Sequence, residues 1–302
     1  MNYYKQIKEE LINNEVYKKV KDYSKNRNDL NTYYNVGKLL VEAQGGEKRA
    51  KYGDNLIKKY SKRLMVEIDK KYSYRNLMSM RKFYLIFKNE IVNALRSQLT
   101  WTHYRELIKL NDYNQIKYYI KVSINQNLSY RQLHIKIKNN EYERLDNKTK
   151  EKLINKEENK IEDFIKNPIL IKNSNNYNEI SERILKKLIL EDLDNFLTEL
   201  GECFTYVKNE YRIKLGDRYN YIDLLLFNIK YNCYVVVELK VTELKAEYIG
   251  QIKKYMNYID KNIRNINQEK TIGIIICKKD NKFVMEYVCD NRIFRTIYKI
   301  NS

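Results

Sequence analysis

The chain has 302 residues, 43% of them hydrophobic, and 58 Lys and Arg stand against 39 Asp and Glu for a formal charge of +19. That length suggests about two domains, no run approaches the roughly 20 apolar residues of a membrane span, and residues 1–10 lack the apolar core of a secretory signal. The basic balance points to a polyanion as partner, whereas a chain with eight glycines and no Gly-Lys-Ser/Thr phosphate loop is not expected to use a nucleotide cofactor.

Residues 1–165 are expected to form helices. The stretch 31–44 is amphipathic and stopped by Gly45-Gly46. After Gly53, Asp54 is placed to cap a helix that carries Leu56, Ile57, Tyr60, Leu64 and Ile68 at helical spacing. Ser73, Thr102 and Ser129 are read as the caps of the helices that follow. Ser73-Tyr74-Arg75-Asn76-Leu77 and Ser129-Tyr130-Arg131-Gln132-Leu133 repeat one pattern, with Arg in the first turn of a short helix behind another helix. That is a helix-turn-helix-like layout. Two readings stay open for Arg75, Arg81, Lys82 and Arg131: contacts to DNA, or solvated polar faces. The two histidines, His103 and His134, lie in this half, away in sequence from any cysteine, and structural or capping roles suit them.

The stretch 147–166 is highly charged, and the one proline, Pro168, lies just beyond it, so the domain boundary is expected at 165/166. An amphipathic helix is expected over 180–200, then strands near 203–214, 219–228 and 233–241. A helix over 243–259 and strands over 271–277, 283–288 and 294–298 complete the order. The fold class is therefore α+β in two domains: all-α over 1–165, and over 166–302 a mixed sheet flanked by helices. The four cysteines, Cys203, Cys233, Cys277 and Cys289, show no metal-ligand spacing and read as reduced, buried thiols in strands or at their edges, as in a cytoplasmic protein.

The most informative stretch is Tyr221-Ile222-Asp223, followed fifteen positions after the aspartate by Glu238-Leu239-Lys240. If the two runs pair as a hairpin centred between Lys230 and Tyr231, Asp223 and Glu238 lie opposite each other. Strand alternation then puts Glu238 and Lys240 on one face. Burying these charges beside Val235-Val236-Val237 is costly without compensation, and a divalent cation is an economical partner. A structural ion pair is the alternative. One helix later, Gln251 and Tyr255 share a face, although Tyr255 also reads as a core residue.

Asp223 and Glu238-Leu239-Lys240 on consecutive strands, in this element order, resemble the PD-(D/E)XK nuclease superfamily and, within it, the YhcG-type nuclease family. The matching stretches are Tyr221-Ile222-Asp223-Leu224-Leu225-Leu226, Val235-Val236-Val237-Glu238-Leu239-Lys240 and Glu247-Tyr248-Ile249-Gly250-Gln251. In the helical half they are Gly37-Lys38-Leu39-Leu40, Tyr72-Ser73-Tyr74-Arg75-Asn76-Leu77 and Leu99-Thr100-Trp101-Thr102-His103-Tyr104-Arg105. The likeness covers most of the chain in both halves.

The resemblance implies a restriction-endonuclease-like domain behind a helical domain that chooses or grips the substrate. It implies that Asp223, Glu238 and the backbone carbonyl of Leu239 hold Mg²⁺, or Mn²⁺ in its place. It gives Lys240 a water to orient or deprotonate, or a growing negative charge to stabilise. Gln251 and Tyr255 are similar to a Gln-x-x-x-Tyr signature that fixes the scissile phosphate or the lysine. An acidic residue from the helix before the first strand often joins the metal site; Glu199 is the candidate, with Glu191 behind it, and a solvated face is the alternative. Residues 207–211, Val-Lys-Asn-Glu-Tyr, depart from the family's Gly-Arg-Gln and leave Arg212 as the phosphate contact. The implied activity is Mg²⁺-dependent DNA endonuclease chemistry, with branched or junction DNA suggested by a likeness to archaeal junction-resolving nucleases. A homodimer would supply the two sites needed to cut both strands. Roles in recombination or defence follow by analogy only. Two other readings are a non-cleaving DNA-binding or assembly module on a nuclease fold, and an RNA-processing nuclease.

Overall fold

The computed structural model describes the chain except residues 1, 21–24, 47–53, 90–98, 156, 158–159, 288–289 and 302. Gly53 and Cys289 therefore lie outside the described residues. The chain divides into two compact units, Met1–Tyr142 and Glu143–Ser302.

The first unit is helical: α1 (Tyr3–Val20), α2 (Lys25–Ala43), α3 (Asp54–Glu67), α4 (Tyr74–Phe87), α5 (Trp101–Leu107), α6 (Tyr113–Asn125) and α7 (Tyr130–Lys138). Apolar residues at three- and four-residue spacing bury one stripe of each long helix. Tyr33, Val36 and Leu40 of α2 meet Leu77 and Met80 of α4 in this core. Gly37 is required there, since a Cβ would sit 2.2 Å from the Met80 carbonyl oxygen. Ser129 caps α7 with a capping box to Gln132. Ser73 is the N-cap residue of α4 but makes no side-chain cap bond. The cap of α5 is Thr100, not the expected Thr102, because His103 Nδ1 lies 3.2 Å from the Thr100 backbone N–H and accepts from it, closing a capping box. His103 thus has the capping role its sequence setting suggested.

The second unit starts 23 residues before the expected boundary at 165/166, by its first residue Glu143. The reason is packing. The Arg144 guanidinium forms a forked ion pair with Glu199 and also donates to the Pro168 carbonyl at 2.7 Å. Helix α8 (Asn147–Asn155) and a 3₁₀ turn (Ile161–Phe164) follow, and Ile161 and Ile165 join the sheet's core. Beyond them come β1 (Ile169–Lys172), α9 (Glu182–Glu191), α10 (Leu193–Leu200), β2 (Phe204–Leu215), β3 (Arg218–Asn228), β4 (Cys233–Glu243), α11 (Ala246–Asn262), β5 (Glu269–Lys279), α12 (Lys282–Tyr287) and β6 (Ile293–Asn301).

The six strands form one mixed sheet in the order β1-β6-β5-β4-β3-β2. β2, β3 and β4 pair antiparallel, while β4, β5, β6 and β1 pair parallel. α9 and α10 pack Leu185, Leu188, Ile189, Phe196 and Leu200 on one face. α11 packs Ile249, Ile252, Met256 and Ile259 on the other. The central strand β4 is therefore buried on both sides, which is why 235–237 reads as an unbroken apolar run.

Three expectations are corrected. The helix expected over 180–200 is two helices broken at Asp192 (φ −132°, ψ 55°), which ends α9 and starts α10. The strand expected over 283–288 is replaced by α12: β5 and β6 are parallel neighbours, so the segment between them is their crossover and lies off the sheet. Cys203 is exposed, whereas Cys233 and Cys277 are buried free thiols. Strand β1 had no local signal. Among the described residues, no helix is long and apolar enough to cross a membrane.

Candidate active site

β3 and β4 pair from Asn228↔Cys233 up to Leu224↔Val237, the register expected from a turn centred between Lys230 and Tyr231. Beyond that last pair the strands part, and Asp223 and Glu238 flank the opening. Asp223 Oδ2 bridges it by accepting the Leu239 N–H at 3.0 Å. Lys240 Nζ donates to Glu238 Oε2 at 3.3 Å, as the shared face requires. From α11, Gln251 Nε2 donates to the same Glu238 oxygen at 3.2 Å and lies 3.1 Å from the Tyr255 hydroxyl. The fold thus brings Asp223, Glu238, Lys240, Gln251 and Tyr255 together. Tyr255 is also core, as its helical spacing suggested, being only 4% exposed.

Three groups at this place were not expected. Lys186 of α9 sets its ammonium 2.7 Å from Asp223 Oδ1 and 3.3 Å from Glu210 Oε1. Glu210 lies on β2 at positive φ (47°), between the pairs Asn209↔Leu224 and Tyr211↔Ile222, which places it across from Asp223. Glu182, the first residue of α9, acts electrostatically on Lys240. The available signal was Ser181 as a cap followed by Glu182 and Lys186 one turn apart, on the face that α9 lays towards the sheet.

Glu199 is not brought to the site. Its carboxylate is occupied by Arg144 and by the Leu170 N–H at 3.0 Å, and it is 4% exposed, a structural clamp. Glu191 accepts from Asn175 at 2.8 Å at the far end of α9. Arg212 stacks over the Tyr219 ring at 4.9 Å on the β2–β3 hairpin. Arg75, Arg81, Lys82 and Arg131 belong to the first unit; Arg75, Lys82 and Arg131 are exposed, while Arg81 Nε donates to Gln44 at 2.6 Å.

The charges are strongly coupled. Burial pushes the Glu238 carboxyl up to about 7, with the Asp223 charge adding to the rise and Lys240 opposing it. Burial pulls the Lys240 ammonium down, but Glu238, Glu182 and Asp223 outweigh it and hold the group above its ordinary value. Lys186 behaves alike, burial being overcome by Asp223 and Glu210.

Glu238 Oε1 is buried and meets no hydrogen-bond donor among the described residues. An unmatched carboxylate oxygen beside a second carboxylate is a donor set for a hard divalent cation. The Lys186 ammonium on Asp223 stands where positive charge is wanted. Among the described residues no three His, Cys, Asp or Glu side chains converge, so a cation here would complete its shell with backbone oxygen and water.

A mixed sheet with an aspartate and a Glu-x-Lys on adjacent strands, flanked by helices on both faces, is the architecture of a PDDEXK nuclease domain. Residues 162–300 match the family model of the YhcG PDDEXK nuclease domain, and residues 7–144 match that of the DUF1016 N-terminal domain. Residues 162–300 are thus a YhcG-type PDDEXK nuclease domain, behind a DUF1016 N-terminal domain. It is similar to "Putative nuclease YhcG" of Escherichia coli (strain K12), at 27% identity over 309 residues, covering 89% of this chain and 82% of that protein. Among solved structures, a repair endonuclease from Pyrococcus abyssi matches at 21% identity with a TM-score of 0.29. The EndoMS-dsDNA2 complex matches at 16% identity with a TM-score of 0.30. Each covers 41% of this chain, and this chain spans 48%, about half, of each of theirs. Superposition at that level adds nothing about the chemistry.

Proposed function

We propose that this protein is a divalent-metal-dependent endonuclease that hydrolyses DNA phosphodiester bonds at Asp223, Glu238 and Lys240. The observation that carries this reading is the buried, unmatched Glu238 Oε1 in the opening that Asp223 bridges. Asp223, Glu238 and the Leu239 carbonyl would hold Mg²⁺ or Mn²⁺. When bound, such a cation supplies Lewis-acid polarisation of a phosphate oxygen and a more acidic water. Lys240, kept as an ammonium by three carboxylates, stabilises negative charge growing on the phosphorus centre and is badly suited to take a proton. Gln251 orients the Glu238 carboxylate and, with Tyr255, closes the side of the site towards α11. Glu182 replaces Glu199 as the acidic contribution from the preceding helices.

The helical unit would grip DNA through Arg75, Lys82 and Arg131, in keeping with the overall charge of +19. Branched or junction DNA fits best, and two such sites in a homodimer would cut both strands.

Isothermal titration tests the metal half of this reading. Saturable Mn²⁺ binding is expected in the wild type and lost in Asp223→Asn. Lys186→Met, which removes the ammonium competing for Asp223 Oδ1, is expected to bind at least several-fold more tightly. Equal uptake by wild type and Asp223→Asn would refute the site.

A further inference from the structure

The β2–β3 hairpin continues past Asp223 to a two-residue turn, Gly216-Asp217, between Leu215 and its partner Arg218. Gly216 has φ +61°, as such a tight reversal needs. On this extension the two faces differ sharply. One carries Ile213 and Ile222, which are 1% and 0% exposed and belong to the core under α11. Alternation puts Tyr219 and Tyr221 on the other face, and Asp223, where β3 changes faces between Ile222 and Leu224, follows two residues on and is held by Lys186 of α9. Tyr219 and Tyr221 are each 55% exposed, large rings left in solvent within four residues of a candidate catalytic carboxylate.

Their partners across the hairpin are cationic. Arg212 pairs with Tyr221 and Lys214 with Tyr219, and the Arg212 guanidinium also covers the Tyr219 ring. Arg212, Lys214 and Arg218 are exposed, and none meets an acidic group among the described residues. One strand of this shared face is thus aromatic, the other basic, and the face runs towards Asp223. Two-residue steps along a strand are about 7 Å, comparable with the span between successive phosphates of an extended single strand.

Resting on the nuclease reading above, we infer that this hairpin face seats an unpaired DNA strand next to the scissile phosphate. Tyr219 and Tyr221 take successive bases by stacking, while Arg212 and Lys214 follow the phosphates. Base-paired DNA offers its bases already stacked on one another, so rings presented in this way favour an unpaired strand. The inference gives the site a substrate feature: a single-stranded arm or flap adjoining a duplex.

The test is fluorescence-anisotropy binding with Ca²⁺ in place of Mg²⁺, using a blunt duplex and the same duplex with a single-stranded extension. Tyr219→Thr/Tyr221→Thr retains strand propensity, and Tyr219→Phe/Tyr221→Phe retains the stacking surface. The Thr pair is expected to lose at least tenfold in affinity for the extended duplex, a stacked base being worth about that or more. Its affinity for the blunt duplex should change less than twofold, and the Phe pair should bind like the wild type. An equal loss on both DNAs, or no loss on either, overturns the inference and leaves the nuclease reading standing. A wild type that binds neither DNA overturns both.

Discussion

Glu238 concentrates the electrostatic cost of this fold. The residue is 1% exposed, one carboxyl oxygen meets no donor among the described residues, and burial pushes the group up to about 7, against an ordinary value of 4.5. A carboxyl raised in the folded state contributes stability that is fully present below the unfolded value and lost as pH rises through the folded one. In chelator, the wild type should therefore lose stability between roughly pH 4.5 and pH 7 through this residue. Glu238→Gln keeps the shape and an acceptor for Lys240 without the charge. Urea unfolding at pH 8 should show it more stable than the wild type by on the order of 1–3 kcal/mol, and at pH 4 the two should coincide. A pH-independent difference would mean that the charge is relieved in some other way. Sites that trade stability for chemistry behave like this.

At the level of elements, the site depends on how closely α11 lies on the sheet, because α11 delivers Gln251 to Glu238. Gly273 of β5 makes that approach feasible: a Cβ there would meet Met256 Sδ at 2.7 Å and Ile252 Cδ1 at 2.8 Å. Gly273→Ala is predicted to cost about 1–3 kcal/mol as the overpacked contact is relieved, seen as a lower midpoint in thermal unfolding. An unchanged midpoint would contradict the tight α11–β5 seam.

The elements also show what local sequence encodes. The β3–β4 register followed from turn residues and β-branched runs, since a short hairpin is specified by its own ends. Strand β1 did not, because its four residues pair with Tyr298, Lys299, Ile300 and Asn301 at the other end of the unit. The expectation of a strand over 283–288 failed for the same reason. An apolar hexapeptide tells nothing of whether a sheet edge is open to receive it.

Across the whole molecule, the positions legible in the sequence were those on adjacent elements. Asp223, Glu238, Lys240 and Gln251 meet because consecutive strands and the next helix must pack together. Lys186, Glu210 and Glu182 were hidden, since their approach depends on how α9 crosses the sheet and on the irregular backbone of β2 at Glu210. Residues 147–166 look like a linker by charge, yet Ile161 and Ile165 join the second unit's core. The positive charge of +19 belongs to the whole chain and suits a phosphate-backbone partner, whose binding should weaken steeply with salt.

The central claim is that these residues cut DNA with a divalent cation. Its most direct test is incubation of labelled linear, single-stranded and four-way-junction DNA with the purified chain in Mg²⁺, Mn²⁺ or chelator, beside Lys240→Ala. The account predicts metal-dependent cleavage, strongest on DNA that contains unpaired or branched segments, and at least a hundredfold slower in the variant. DNA binding without cleavage, the same in both proteins, would contradict it and leave Asp223, Glu238 and Lys240 as architecture.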